Sequence, residues 1–327
     1  MNSYIFASTA LFVIVASSLI FIIIKPFYFG NMINILDKPE NNSLKIHKKS
    51  TPKNGGFIII LSILLYLILN QFYNFDYFNF SIFVFILSFF IIGLVDDYLN
   101  IKPVIRILLF ALSVYFFLIF NSDFIIEYFY IENIDNFFSL KYFALFFTIF
   151  CFVFLQNSLN MLDGINGSLL SYSILLTSII SIVNPEIFNF VFLFALILAF
   201  IQNINNKIFL GNSGSALISF IISFLLIRAH SHNPKDFSSE IIILLCFLPM
   251  IDMTRLFIER IYKKKNPFIG DLNHFHHIVF LKRKKREWIS YLVVIYIFLT
   301  YVGFNLSINS ALFISLFTYS FFIWKFR

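Results

Sequence analysis

The chain has 327 residues, 60% of them hydrophobic and only 13% charged, with a formal net charge of +7. Soluble globular proteins carry roughly 25% charged residues, and the apolar stretches here recur from one terminus to the other, so a soluble fold is excluded. The expected fold is all-α, a polytopic transmembrane helix bundle of about 10–11 spans, forming one integral membrane domain over 1–327.

Breaking the sequence at its polar loops gives candidate spans near 4–24, 55–73, 80–95, 104–120, 142–159, 168–184, 188–202, 216–229, 241–258, 288–304 and 308–324. The first lacks a basic n-region and an A-x-A-like cleavage site and is long enough to span, so it reads as a retained helix rather than a signal peptide. Cys151 and Cys246 fall inside apolar runs and read as small packing residues, not as a disulfide framework. The 49 Phe carry no cofactor meaning, most being lipid-facing or core.

Eleven spans put the termini on opposite sides. With the N-terminus outside, 21 of the 24 Lys and Arg fall inside, leaving only Lys141, Arg228 and Lys235 outside. The positive-inside rule therefore predicts an outside N-terminus and a cytoplasmic C-terminus. This distribution explains the net charge without nucleic acid, and a basic inner face attracts anionic membrane lipids and phosphorylated substrates.

The unusual polar clusters all fall on that inner side. IIGLVDDY (91–98) sets Asp96 and Asp97 side by side at the end of an apolar run, with Lys102 and Arg106 following. An ionisable residue at membrane depth is costly unless compensated, and paired carboxylates suit a Mg2+ site or a base acting on a phosphate; a solvated helix end is the plain alternative. In QNSLNMLDGING (156–167), Asn157, Asn160 and Asp163 recur every third position and so share one side of a helix. They could hold a hydrated cation or read a base edge, or they could form a C-terminal cap. FLGNSGS (209–215) opens the eighth span as a helix N-terminus able to take phosphate, or as a small-residue packing motif; Phe209 before it could stack on a base or bury. HKKSTPKNGG (47–56) reads as a turn whose cations could steer a pyrophosphate or simply mark the inner side. His274, His276 and His277 lack a spaced fourth ligand for zinc, so hydrogen bonding to phosphate or sugar is the expected role, beside the alternative of an amphipathic juxtamembrane helix.

In order along the chain, HKKSTPKNGG, VDDYLNIKP with Arg106, NSLNMLDGING, FLGNSGS and PMIDMTRLFIERIYKKKNPFIGDLNHFHH resemble the polyprenyl-phosphate N-acetylhexosamine-1-phosphate transferases of glycosyltransferase family 4. The H-x-H-H form with the preceding PF-x-x-D resembles the branch that acts on undecaprenyl phosphate to start O-antigen, common antigen or teichoic acid linkage units. The resemblance implies a UDP-N-acetylhexosamine donor, UMP release, Mg2+ with Mn2+ as a substitute, and a bacterial cytoplasmic membrane location with the site facing the cytoplasm. It implies Asp96 as base toward the lipid phosphate and Asp97 in support of the metal, with Asn160 and the position of Asn212 as further metal ligands. It implies Arg106 near the phosphates, His47 and Asn157 toward substrate, Asp163, Asn166 and Phe209 lining a uridine pocket, and His274, His276 and His277 at the donor's phosphate and sugar. Dimers occur in the family. One departure stands out: Gly211 is followed by Asn212 where the family carries Asp, which removes a negative charge from the metal site. A lipid or sugar transporter and a non-catalytic relative are the alternative classes; a transporter would place its polar groups near the midplane, often with inverted repeats.

Overall fold

The computed structural model describes residues 2–39, 49–73, 78, 80–268, 273–283, 293–298 and 307–326. His47, and most of the span expected at 288–304, lie outside the described residues. The fold is an all-α polytopic bundle. Among the described residues seven helices are long and apolar enough to cross a membrane: α3 (Gly55–Tyr73), α4 (Phe80–Leu99), α5 (Pro103–Phe120), α6 (Ala144–Leu162), α8 (Ile187–Ile204), α9 (Gly211–His232) and α10 (Ser239–Tyr262). An eighth is obtained if α1 (Asn2–Ile24) and α2 (Pro26–Met32), which meet at a bend of 109°, count as one broken span. The bend falls at Pro26, whose ring cannot continue the α1 hydrogen-bond ladder but suits the first position of a new helix. The seven or eight are a count of the described residues alone, which leave out most of the expected span at 288–304. α7 (Ser168–Val183), over the expected span at 168–184, is a shorter apolar helix of 16 residues.

Several helices also extend further toward the polar loops than the apolar runs suggested. α4 continues through Asp96 and Asp97, α6 through Asn160, and α9 begins at Gly211 rather than near 216. Polar residues at these ends are helical because neighbouring segments take up their side chains, which hydropathy cannot register.

α9 is the axis of the bundle, with 94% of its apolar window buried against 22% for α5, which faces outward. Its sequence GNSGSALISFIISF sets small residues along the helix, allowing neighbouring backbones to come close where no hydrophobic effect drives helices together in lipid. The hydroxyls of Ser219 and Ser223 donate to the carbonyls of Ser215 and Ser219, so they do not stand unsatisfied in the apolar interior.

At one end of the bundle lies an antiparallel hairpin, β3 (Tyr128–Ile131) with β4 (Asn136–Ser139), in which Tyr130 faces Phe137. A cavity of about 810 Å3 lies there between the hairpin and α6, α9 and α10, and none of the sequence-predicted site residues lines it. At the other end a two-residue ladder pairs β1 (Leu36–Asp37) with β2 (Thr51–Pro52). Later in the chain come α11 (Phe275–Arg283) and α12 (Ile308–Phe326).

Candidate active site

The site grows from the last turn of α4. Adjacent residues on a helix point about 100° apart, so Asp96 and Asp97 serve different neighbours. Asp96 is buried and faces the start of α5: Oδ1 accepts the backbone N–H of Ile101 at 2.8 Å and Oδ2 accepts Arg106 Nη1 at 2.8 Å. Asp97 faces α9, its two oxygens accepting the backbone N–H groups of Asn212 and Ser213, each at 3.0 Å, with Lys53 Nζ 3.2 Å away.

Of the two readings of 209–215 the geometry supports close packing: two of the free N–H groups at the α9 N-terminus are taken by Asp97, which complements the positive end of the helix dipole. The cap requires close packing. A Cβ on Gly93 would lie 2.4 Å from the carbonyl oxygen of Asn212, and Gly211, at φ +77°, leaves room for the Asp97 carboxylate. Gly56 packs against the backbone of Gly214 in the same way, and the 52–56 segment is stitched to 209–210 by Phe209 N–H to Pro52 O (2.8 Å) and Gly55 N–H to Phe209 O (3.0 Å). Phe209 is thus half-buried and held at this seam through its backbone.

The 156–167 segment closes over this point from α6. The Asn160 amide oxygen accepts the Ser215 hydroxyl at 2.7 Å, tying α6 to the first turn of α9. Asp163, at the C-terminal end of α6, lies close enough to Asp97 to feel its charge, and burial together with that charge holds its carboxyl well above the ordinary range. Asn157 instead donates to the Val153 carbonyl of its own helix (2.9 Å), and Asn166 to Asn203 O (3.0 Å) and Asn206 Oδ1 (3.1 Å), tying this loop to the α8–α9 connection. Gly167, at φ +88°, completes that tie by donating its N–H to Asn203 Oδ1.

The histidines arrive from the far end of the sequence. A Cβ on Gly164 would stand 2.2 Å from His276 Nε2 and 2.6 Å from His277 Nε2, so the motif packs directly onto the loop that carries Asp163. His274 stacks on His276, ring centroids 5.6 Å apart. His276 is wholly buried, neither of its ring nitrogens has a hydrogen-bond partner, and burial with His277 and His274 holds it neutral, well below the usual imidazole range.

The structure therefore brings Asp97, Asn160, Asp163, Asn212, His276 and His277 to one end of the bundle, with Asp96 and Arg106 paired behind Asp97. It turns Asn157 and Asn166 toward other groups. Lys53, Ser215, Asp252 and Arg255 lie within the motifs quoted above but were not singled out there as site residues, and Tyr319 lies outside every motif. Asp252 had a signal, an acidic residue inside the apolar run 241–258; Tyr319 had none.

Among the described residues no group of three or more His, Cys, Asp or Glu is arranged to hold a metal ion. The donors present fit a hydrated divalent cation more modestly. Asp97 and Asp163 repel one another, which a cation would relieve, Asn160 adds an amide oxygen, and Mg2+ usually takes only one or two carboxylates beside water and substrate phosphate.

Fold and site together define a polytopic membrane protein with a carboxylate- and histidine-lined site at one end of its bundle. Residues 79–230 match the model of glycosyl transferase family 4, a stretch that holds Asp96, Asp97, Asn160, Asp163 and Asn212 but not Lys53 or the histidines. Over 271 residues the chain is 28% identical to the undecaprenyl-phosphate alpha-N-acetylglucosaminyl 1-phosphate transferase of Thermotoga maritima, covering 82% of this chain and 79% of that protein. It is 26% identical over 264 residues to the protein of the same name in Salmonella typhi, covering 76% and 69%. The probable undecaprenyl-phosphate N-acetylglucosaminyl 1-phosphate transferase of Bacillus subtilis is 24% identical over 254 residues, covering 75% and 69%.

Proposed function

We propose that the chain is a member of this transferase family and moves an N-acetylhexosamine-1-phosphate from a UDP-sugar to undecaprenyl phosphate, releasing UMP, at the cytoplasmic face of a bacterial inner membrane. The observation that carries the reading is convergence: Asp97, Asp163 and the H-x-H-H motif, far apart in sequence, meet around Gly164 and the α9 N-terminus. The similarity to three transferases named for this reaction supports the same class.

In the proposed step an oxygen of the lipid phosphate attacks the β-phosphorus of the UDP-sugar. A new P–O–P bond forms, the bond from that phosphorus to the α–β bridging oxygen breaks, and UMP leaves with the oxygen and its electron pair. Bound Mg2+ would supply charge neutralisation at the pyrophosphate. Asp97, Asn160 and Asp163 would hold the cation. His276, neutral and unpartnered, would donate one ring N–H to a donor oxygen, and Lys53 and Arg106 supply positive charge on the lipid-phosphate side. Asp96 would accept the lipid phosphate proton, exchanging Arg106 or the Ile101 N–H for substrate.

The test is UMP release by the purified protein with undecaprenyl phosphate, Mg2+ and a panel of UDP-N-acetylhexosamines, beside an Asp96→Asn control. Lipid-dependent UMP that disappears in the control supports the reading. Asn212 favours a second reading, a relative that binds nucleotide sugar without turnover; binding with no UMP release from any donor would establish it.

A further inference from the structure

We infer that Asp252 and Tyr319 are positioning residues for the histidine motif, so that α12 is a working part of the site; this rests on the transferase reading and deepens it. Asp252 is buried within α10. Its carboxylate collects four donors: His274 Nδ1 at 3.0 Å, the backbone N–H of Phe275 at 3.2 Å, Arg255 Nη2 at 3.0 Å and the Tyr319 hydroxyl at 2.8 Å. The Tyr319 oxygen in turn accepts Arg255 Nε at 2.6 Å, and Arg255 Nη2 also donates to the Asn273 carbonyl at 2.8 Å. α10 and α12 are thereby fastened to the turn that opens α11.

An ionised carboxylate only accepts, so the ring nitrogen facing Asp252 must be the protonated one, and Nε2 of His274 is left as the acceptor. A carboxylate that orients an imidazole in this way fixes both its tautomer and its ring plane. By accepting the Phe275 N–H, Asp252 also caps the first turn of α11, although it lies 22 and 23 residues away from His274 and Phe275 in sequence. The direction of that first turn decides where His276 and His277 meet Gly164. Tyr319 sets the Asp252 carboxylate itself, since its hydroxyl donates to Asp252 while accepting from Arg255.

The experiment compares wild type, Tyr319→Phe, Asp252→Asn and Asp252→Glu as full chains in detergent, with KM and kcat for UMP release measured separately for the UDP-sugar and the lipid phosphate. Losing one hydrogen bond to the charged group in Tyr319→Phe should raise the KM for the UDP-sugar about tenfold, leaving the KM for undecaprenyl phosphate unchanged. Asp252→Asn should be more severe and Asp252→Glu partly restored. A general structural defect would instead lower kcat through a smaller active fraction and spare both KM values, which overturns the inference, as does an equal rise in both. If the wild type does not turn over, the transferase reading fails alone, and titration calorimetry with UDP-N-acetylglucosamine decides the inference: weaker binding by Tyr319→Phe supports it and equal affinity overturns it. A wild type that neither turns over nor binds overturns both.

Discussion

The carboxylate of Asp97, in the last turn of α4, accepts the backbone N–H of Asn212, the second residue of α9, at 3.0 Å. A helix cap is usually supplied by the residue just before the helix; here it is lent by another span, which couples the packing of the bundle to the geometry of the site. Asp97→Ala should therefore cost about 1–2 kcal/mol of stability from the lost cap as well as turnover. Asp97→Asn, which can still accept one N–H, should lose turnover with a smaller stability change. Thermal unfolding in detergent beside UMP release separates the two effects.

Gly93 is where that cap depends on close approach. A methyl group there would lie 2.4 Å from the Asn212 carbonyl oxygen and 2.6 Å from the Ser213 Cα, both backbone atoms that cannot rotate aside. Gly93→Ala should force α4 and α9 apart at a cost of about 1–3 kcal/mol and weaken the Asp97 cap. The midpoint of thermal unfolding should fall, and UMP release should fall further than the folded fraction does.

Asp163 predicts a pH dependence. Burial and the charge of Asp97 raise its folded-state value above the ordinary 3.8, so the folded protein holds this proton more tightly than the unfolded chain does. Stability then falls as pH rises from about the ordinary value, where the unfolded chain releases the proton, up to the raised value, and levels off beyond it. Asp163→Asn should flatten that decline, and Mg2+ should oppose it in the wild type by favouring the ionised carboxylate. A series of unfolding midpoints against pH, with and without Mg2+, measures both; identical profiles for wild type and variant would contradict the prediction.

Asn212 offers a gain-of-function test. Placing an acidic residue at this position adds a negative charge beside Asp97 and Asp163, and cation affinity rises with the charge of the ligand set. Asn212→Asp should lower the Mg2+ concentration for half-maximal UMP release severalfold. An unchanged Mg2+ dependence would place position 212 outside the cation's reach.

Much of this was legible in the sequence. The all-α membrane class followed from 60% hydrophobic residues in recurring runs, because a bilayer admits only segments that satisfy their own backbone. The clusters around Asp96, Asp163, Asn212 and the histidines were visible as polar residues where apolar ones were expected. Helix ends were less legible. Asp97 lies beyond the apolar run at 80–95 yet is helical, its carboxylate taken up by the N-terminus of another span.

By itself the sequence determined the class of fold and the residue types from which a site could be made, because hydrophobic length and local motifs are properties of contiguous chain. Tertiary structure alone decided that Asp96 serves Arg106 while Asp97 caps α9, that Asn157 and Asn166 turn away, and that Tyr319 reaches Asp252. Those outcomes depend on which helices lie side by side, and a hydrogen bond between distant spans leaves no periodic trace in either of them.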